Sequence, residues 1–393
     1  MSSQIDKNRI QELLARGVEE VIDRAHLEKK LQSGKQLRIK LGIDPTSPNL
    51  HVGRSIPLLK LRDFQELGHK IIFIIGDATG VIGDTSDKDS ERPMMKREMI
   101  KQNLKTYAQQ VGKILDVKKC EIQYNSEWLD KLGYAEIGEH AEVFSAHEMI
   151  TRENIKKRMD AGSRVSFREL FYPLMQGYDS VAIRADVELG GTDQRFNLLA
   201  GRELQRHFGQ EPQDIVMGPL LEGTDGRKMS SSWGNTINLT DEPNDMFGKV
   251  MSIPDNLIIK YLTLATRAPM AEVKRYEKEM AKGGNPRDYK VKLAIELVRM
   301  YHGDRAASAA EAYFVKTFAK KEAPDEMPEL TPSAYDIITV LVEAGFASSK
   351  GDARRALAGG GVKVNGEKIS ALETTVDKGD VVQKGKRFFV RIL

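Results

Sequence analysis

The 393-residue chain has one cysteine, Cys120, which excludes an internal disulfide and any thiolate metal cage. Long apolar runs are also missing. None approaches the ~20 residues of a membrane-spanning helix, and Met1 to Lys7 lacks the basic-then-apolar layout of a signal peptide. A soluble cytoplasmic protein without a membrane partner is the expectation. Neither sign of charge dominates: 60 Lys plus Arg face 57 Asp plus Glu, and a net +3 does not by itself indicate a nucleic-acid partner. The small excess is unevenly placed, because residues 331–393 hold ten basic against seven acidic side chains while the rest of the chain balances. A polyanion would dock at that end. Both common phosphate fingerprints, GxGxxG and GxxxxGK(S/T), are absent from the first strand-helix unit, so a nucleotide there is held by other means.

What is present centres on Leu37 to Gly53, LRIKLGIDPTSPNLHVG. Leu37, Ile39, Leu41 and Ile43 alternate with Arg38, Lys40 and Gly42, the period of a strand with one apolar face. Pro45 and Pro48, with Asp44, Ser47 and Asn49, then interrupt any ladder. A helix over about 52–67 follows, and the uninterrupted apolar run from Ile71 to Ile75 predicts a central parallel strand. This βαβ unit delivers Thr46, His51 and Gly53 to a helix N-terminus, where free N–H groups and the helix dipole favour an anion. Gly53 has no side chain, so a flat ring could lie on the helix backbone with His51 beside the phosphates. A blander account also fits, with His51 filling a helix start and Gly53 serving packing alone.

Residues 5–31 read as helices packed on the sheet, with Ile10, Leu13, Leu14, Val18, Val21 and Ile22 on apolar faces. Beyond the strand at 71–75, GDATGVIGD places glycines, Asp77 and Asp84 where open α/β sheets bind ligands. Asp84 suits a substrate ammonium, whereas Lys88, Glu91 and Arg92 read as a solvated loop. Residues 97–160 are mainly helical and look like an insertion between two halves of a doubly wound sheet. In the next helix Phe167, Leu170, Phe171, Leu174, Met175 and Tyr178 mark the buried side, and Tyr172, Gln176 and Asp179 form a stripe of hydrogen-bonding groups. A strand at about 187–189 ends in Gly190, Gly191, Thr192, Asp193 and Gln194. Asp193 there is either a helix N-cap or, if the loop covers a nucleotide, a ribose acceptor approached over Gly191. Later, the apolar segment from Ile215 to Leu221 leads into Gly226, Arg227, Lys228, Met229, Ser230, Ser231 and Ser232, a basic and hydroxyl-rich loop.

Helices follow over 240–319, then an acidic, proline-containing linker at 320–332. In the tail, Ile337, Ile338, Leu341 and Val342 mark a short helix, and Ser349 with Asp352 resembles a capping box for a second, whose Lys350 and Arg354 share a face. Asn365-Gly366 between strand-like halves signals a hairpin.

HVG in the first loop and KMSSS in the late one resemble the paired HIGH and KMSKS signatures of class I aminoacyl-tRNA synthetases, which hold ATP from opposite sides. YPLMQGYDS together with GGTDQRFN is similar to the amino-acid pocket of the tyrosyl-tRNA synthetase family. The tail order resembles the RNA-binding module first seen in a small-subunit ribosomal protein, placed as in bacterial members. The implied fold is α/β: a Rossmann-like doubly wound parallel sheet over 1–239 with the insertion, a helical bundle over 240–319, and a small α+β RNA-binding domain over 333–393. The implied reaction joins L-tyrosine to ATP as tyrosyl-adenylate and transfers it to the 3′ end of tRNA(Tyr). On this resemblance Thr46, His51, Arg54 and Lys228 stabilise the reacting phosphate. Gly42, Asp44, Gly53, Gly191, Asp193, Gln194, Met229, Ser230 and Ser231 join them around ATP. Lys40, Asp84, Tyr172, Gln176, Asp179 and Gln194 hold tyrosine, with Asp179 accepting the phenol proton. Lys350, Arg354, Arg355, Lys363 and Lys368 are the tRNA phosphate contacts. Mg2+ accompanies ATP, with no cluster of protein ligands of its own and no tightly bound cofactor, and the insertion forms a homodimer interface.

Three positions depart from the family pattern. Arg54 stands where a second histidine is usual, Ser231 where a second lysine is common, and Lys40 where many members carry a tyrosine that shares the substrate phenol. Lys40 could instead pair with Asp179. The rivals are a synthetase for tryptophan, against which the tail and Asp179 argue because an indole offers no phenol proton, and a non-catalytic RNA-binding paralogue.

Overall fold

The computed structural model describes residues 7–86, 93–319, 327–385 and 388–393, so Lys88, Glu91, Arg92 and most of the 320–332 linker lie outside the described residues. Two compact units divide after Tyr301. The first is built on a six-stranded sheet of β1 (Glu20–Ile22), β2 (Arg38–Ile43), β3 (Lys70–Ile75), β4 (Cys120–Tyr124), β5 (Val187–Gly191) and β6 (Asp214–Gly218). Its order is β1-β6-β5-β2-β3-β4, parallel throughout except for β1 against β6. From β2 the chain winds outward through β3 to β4, and from β5 the other way to β6. The order therefore reverses between β2 and β5, and the crevice at their carboxyl ends is where such sheets take ligands.

Three local expectations need correction. Residues Glu20–Ile22 are not helical: Val21 and Ile22 are β-branched, and the exposed edge of β6 offers them a ladder with Glu20 opposite Met217. The 97–160 segment is not wholly outside the sheet, because β4 pairs residue for residue with β3 from Ile71–Cys120 to Ile75–Tyr124. Finally, β2 does not have a single apolar face. It lies between β3 and β5, covered on both sides, and Lys40 is 0% exposed.

The helix Val52–Glu66 starts at His51, whose Nδ1 accepts from the Arg54 amide at 3.3 Å. Helix Tyr172–Ile183 crosses helix Arg195–His207 closely: a Cβ on Gly177 would lie 2.8 Å from Leu204 Cδ1. The helices that follow the sheet belong to the same compact unit through Tyr301. Arg16 fastens one of them, donating to the carbonyls of Leu262, Thr263 and Thr266 around the end of helix Ile258–Ala265.

The second unit carries a five-stranded sheet in the order β7-β11-β10-β8-β9, with β7 (Glu329–Leu330), β8 (Val362–Val364), β9 (Glu367–Lys368), β10 (Val381–Lys384) and β11 (Phe388–Ile392). Helices Ile337–Glu343 and Lys350–Ala358 bury Ile337, Leu341, Ala353 and Leu357 against Val362, Val382, Val390 and Ile392. The Asn365-Gly366 turn has both φ positive, as its hairpin requires. Ser349 caps the second helix by accepting from the Asp352 amide, while Asp352 reaches back to the Ser348 amide rather than that of Ser349, so the box is only half closed.

Candidate active site

At the β2–β5 crevice lies a cavity of about 770 Å³. Asp44, at the end of β2, accepts from Thr79 Oγ1 at 2.7 Å and from the Tyr172 hydroxyl at 3.0 Å. This requires glycine at 76, where an added Cβ would sit 2.0 Å from Asp44 Oδ1. Thr46, His51 and Arg54 come together beside it. Arg54 donates to Thr46 Oγ1 and to the hydroxyl of buried Tyr107, each at 3.3 Å, which holds its guanidinium over the helix start.

The late signature reaches this wall because the strand-like residues after it pair with the first loop: the Val52 amide donates to Ile237 and the Leu239 amide to Leu50. Met229 is thereby buried with its sulfur 3.3 Å from the Gly53 amide, and it shares the space beside that glycine with the His51 ring, whose Nδ1 would lie 3.1 Å from an added Cβ. Lys228 Nζ lies 2.9 Å from Asp193 Oδ2. The Asp193 carboxylate folds over Gly191, where a Cβ would fall 2.5 Å from Oδ1, and meets the lysine, while the helix N-caps fall at Gly191 and Gln194. Buried Asn235 braces the loop by accepting from the Ser230 amide and donating to Asp225 and the Lys228 carbonyl.

The floor keeps part of the expected buried side, with Leu174 buried, and adds the polar stripe to it. Phe167, assigned to the buried side, is 72% exposed in a short 3-10 turn, whereas Tyr172 and Asp179 on the polar stripe are buried. The stripe turns inward because the sheet offers it partners. Asp179, 3% exposed, accepts from Trp128 Nε1 at 2.8 Å and Asn125 Nδ2 at 3.2 Å. Burial pushes its carboxyl up to about 7 despite these donors and the positive charge of Lys40. Burial, with Asp44 and Asp84 nearby, likewise drives the Tyr172 phenol well above its ordinary range, so it stays a neutral donor.

Lys40 does not pair with Asp179. Its ammonium is committed to Glu188 at 2.9 Å, Ser180 Oγ at 2.7 Å and the Gln176 carbonyl at 2.9 Å. Asp84, Tyr172 and Gln176 all line the cavity, but in this state each has another partner: Gln194 and Ser86 for Asp84, Asp44 for Tyr172, and Glu188 for Gln176. Gly42, Ser230 and Ser231 line the same cavity. Sequence reasoning missed Tyr107, Asn125, Trp128 and Glu188. Reading Cys120–Tyr124 as a strand would have put Asn125 at a carboxyl end and exposed the signal. In the second unit Lys350, Arg354, Arg355 and Lys368 are exposed and Lys363 is half-buried.

A family model described as tRNA synthetases class I (W and Y) matches residues 31–319, and an S4 domain model matches residues 337–382. The chain belongs to this synthetase family. The tyrosine–tRNA ligase of Thermotoga maritima is 47% identical over 385 residues, covering 97% of this chain and 96% of its own. That of Haemophilus influenzae is 47% identical over 390 residues, covering 98% and 97%. The solved tyrosyl-tRNA synthetase of Archaeoglobus fulgidus complexed with L-tyrosine superposes with a TM-score of 0.63 at 23% identity, over 77% of this chain and 98% of that one, which shows the shared fold. Among the described residues no helix is long and apolar enough to cross a membrane.

Proposed function

We propose that this synthetase is a tyrosine–tRNA ligase that forms tyrosyl-adenylate from L-tyrosine and ATP and passes the tyrosyl group to tRNA(Tyr). The observation that carries this reading is Asp179. An ionised carboxylate has about four acceptor positions, and among the described residues Trp128 and Asn125 are the hydrogen-bond donors to Asp179. A phenol hydroxyl reaching the floor of the cavity completes the set, while phenylalanine leaves the buried charge short of a donor. The tyrosine ammonium lies toward Asp84, Tyr172 and Gln176, and its carboxylate toward Thr46 and Arg54.

In the first step the tyrosine carboxylate attacks the α-phosphate of ATP, a new O–P bond forms, and pyrophosphate leaves. In the second, the terminal ribose hydroxyl of tRNA attacks the tyrosyl carbonyl and AMP leaves. No side chain becomes a nucleophile. The protein aligns the reactants and stabilises charge on the five-coordinate phosphate through Thr46, His51, Arg54 and Lys228. Arg54 in place of a histidine supplies a cation that does not titrate. ATP needs Asp193 for its ribose and Lys228 for its phosphates, so binding separates these two. Mg2+ enters on the phosphates of ATP. The grouping of Asp23, His26 and Asp214, which has metal-ligand spacing, does not serve it, because Asp214 begins β6 at the opposite end of the sheet.

The exposed cations of the second unit contact tRNA phosphates. The chain acts as a homodimer through the insertion, where Ile122, Tyr124 and Tyr134 are exposed. The test of the whole reading is exchange of labelled pyrophosphate into ATP without tRNA. Tyrosine supports it and phenylalanine and tryptophan do not. Absence of exchange with all three would overturn the ligase reading in favour of an RNA-binding paralogue.

A further inference from the structure

Beneath the tyrosine pocket is an ion pair that the reaction as described does not use. Lys40 from β2 and Glu188 from β5 are 0% and 1% exposed and lie 2.9 Å apart. All three ammonium donors of Lys40 are spent, on Glu188, Ser180 Oγ and the Gln176 carbonyl. The last two acceptors belong to the helix turn that brackets Asp179. Glu188, opposite Lys40 in the sheet, binds the same turn, accepting from Gln176 Nε2 at 3.3 Å and Ser180 Oγ at 3.1 Å, and also takes Gln213 Nε2 at 2.5 Å. Gly201 admits this cluster, since a Cβ there would fall 2.6 Å from Gln213 Nε2 and 2.9 Å from Ser180 Oγ.

A pair this deep is a poor device for stability, because a well-packed apolar pair of equal volume does as well or better. Its position supplies another use. We propose that Lys40, clamped by Glu188, is a positioning residue for amino-acid specificity: it fixes the helix turn carrying Asp179 and is the buried cation that keeps this carboxylate ready to accept a phenol. The inference rests on the tyrosine-ligase reading and adds to it the source of discrimination. It also accounts for how a lysine can stand where many members place a tyrosine against the substrate phenol. Lys40 has no donor left for the substrate, so it acts through Asp179.

The groups around Asp179 leave few other sources for that effect. Asn125 and Trp128 reach it from the insertion as neutral donors, and Glu188 from β5 opposes ionisation. Lys40 is the cation whose field favours ionisation of Asp179 against burial and Glu188.

The test is a volume-matched double variant, Lys40→Met with Glu188→Leu, which removes both charges together and leaves neither unpaired. Tyrosine- and phenylalanine-dependent pyrophosphate exchange are followed from pH 6 to 9. The parent protein is expected to favour tyrosine strongly. In the double variant the tyrosine-to-phenylalanine ratio of kcat/KM falls by about threefold at pH 7.5, because a one-unit rise from about 7 lowers the ionised fraction of Asp179 by about that factor. The fall appears in the KM for tyrosine, with the KM for ATP unchanged, and is partly recovered at pH 9 as Asp179 ionises without help. A folded double variant with the parent's ratio and pH profile would overturn the proposal and leave the pair a packing feature. Should that variant fail to fold, Lys40→Gln with Glu188→Gln keeps hydrogen-bonding capacity and is judged by the same two readouts. If the parent itself shows no tyrosine-dependent exchange, the ligase reading fails first, and that result is distinct from a loss seen only in the variant.

Discussion

Replacing Asp179 by asparagine tests the electrostatics of the pocket through stability, without substrate. In the folded protein this carboxyl holds its proton up to about pH 7, against 3.8 when unperturbed, chiefly because burial penalises the charge. The sign follows from linkage. Between these two values the folded state binds a proton that the unfolded chain has released, so the contribution is fully present below pH ~4 and is lost as pH rises toward and through ~7. From pH 5 to pH 8 the loss spans about two pK units, or roughly 3 kcal/mol. Asparagine does not titrate. It also turns an amide donor toward the Trp128 or Asn125 N–H, a cost of about 1–3 kcal/mol that does not vary with pH. Relative to the parent, Asp179→Asn is therefore expected to gain about 3 kcal/mol between pH 5 and pH 8, whatever its absolute offset. Urea unfolding at the two pH values, in a Trp233→Phe background so that Trp128 is the reporting indole, measures this directly. Other titrating groups, such as His69 and His140, are common to both proteins and cancel. An equal stability difference at pH 5 and pH 8 would refute the reasoning, because it would mean that the Asp179 carboxyl does not change ionisation in the fold across that range.

Three further outcomes are expected. Arg54→His, the residue usual in the family, keeps tyrosine-dependent exchange but adds a fall in kcat as pH rises through the histidine range near 6.5, which the parent lacks at this position; parallel pH profiles of kcat decide it. Gly76→Ala forces Asp44 away from Thr79 and Tyr172, costing on the order of 1–3 kcal/mol in urea unfolding and raising the KM for tyrosine. Lys350→Ala with Arg354→Ala leaves pyrophosphate exchange unchanged but weakens tRNA binding and lowers the slope of log K against log salt by roughly 1 to 2; an unaltered slope would remove these two residues from the tRNA surface.

Two pockets of information were legible without coordinates for different reasons. The βαβ centre and the Asn-Gly hairpin are local: proline placement, alternation and a turn needing positive φ at both residues specify them within a few residues. The two signature loops were legible through their paired resemblance to the family's motifs, since either loop alone also fits a bland account. The stripe of Tyr172, Gln176 and Asp179 was found by its spacing, but spacing did not show that Tyr172 and Asp179 are buried beside Leu174 while Phe167 is exposed. Apolar residues are ordinarily buried, and only the sheet beneath shows that Lys40, Glu188, Asn125 and Trp128 wait there as partners.

The sequence by itself determined the α/β class, the family and which loop residues would meet in one cavity, because periodicity and short motifs are properties of neighbours along the chain. Tertiary structure alone decided that Cys120–Tyr124 extends the sheet, that Lys40 answers Glu188 rather than Asp179, and that Met229 reaches Gly53. Those outcomes depend on groups as far apart as 53 and 229 being brought within hydrogen-bond reach. At such separations the low dielectric of the interior, and the need of every buried charge for a partner, select the pairings that spacing cannot.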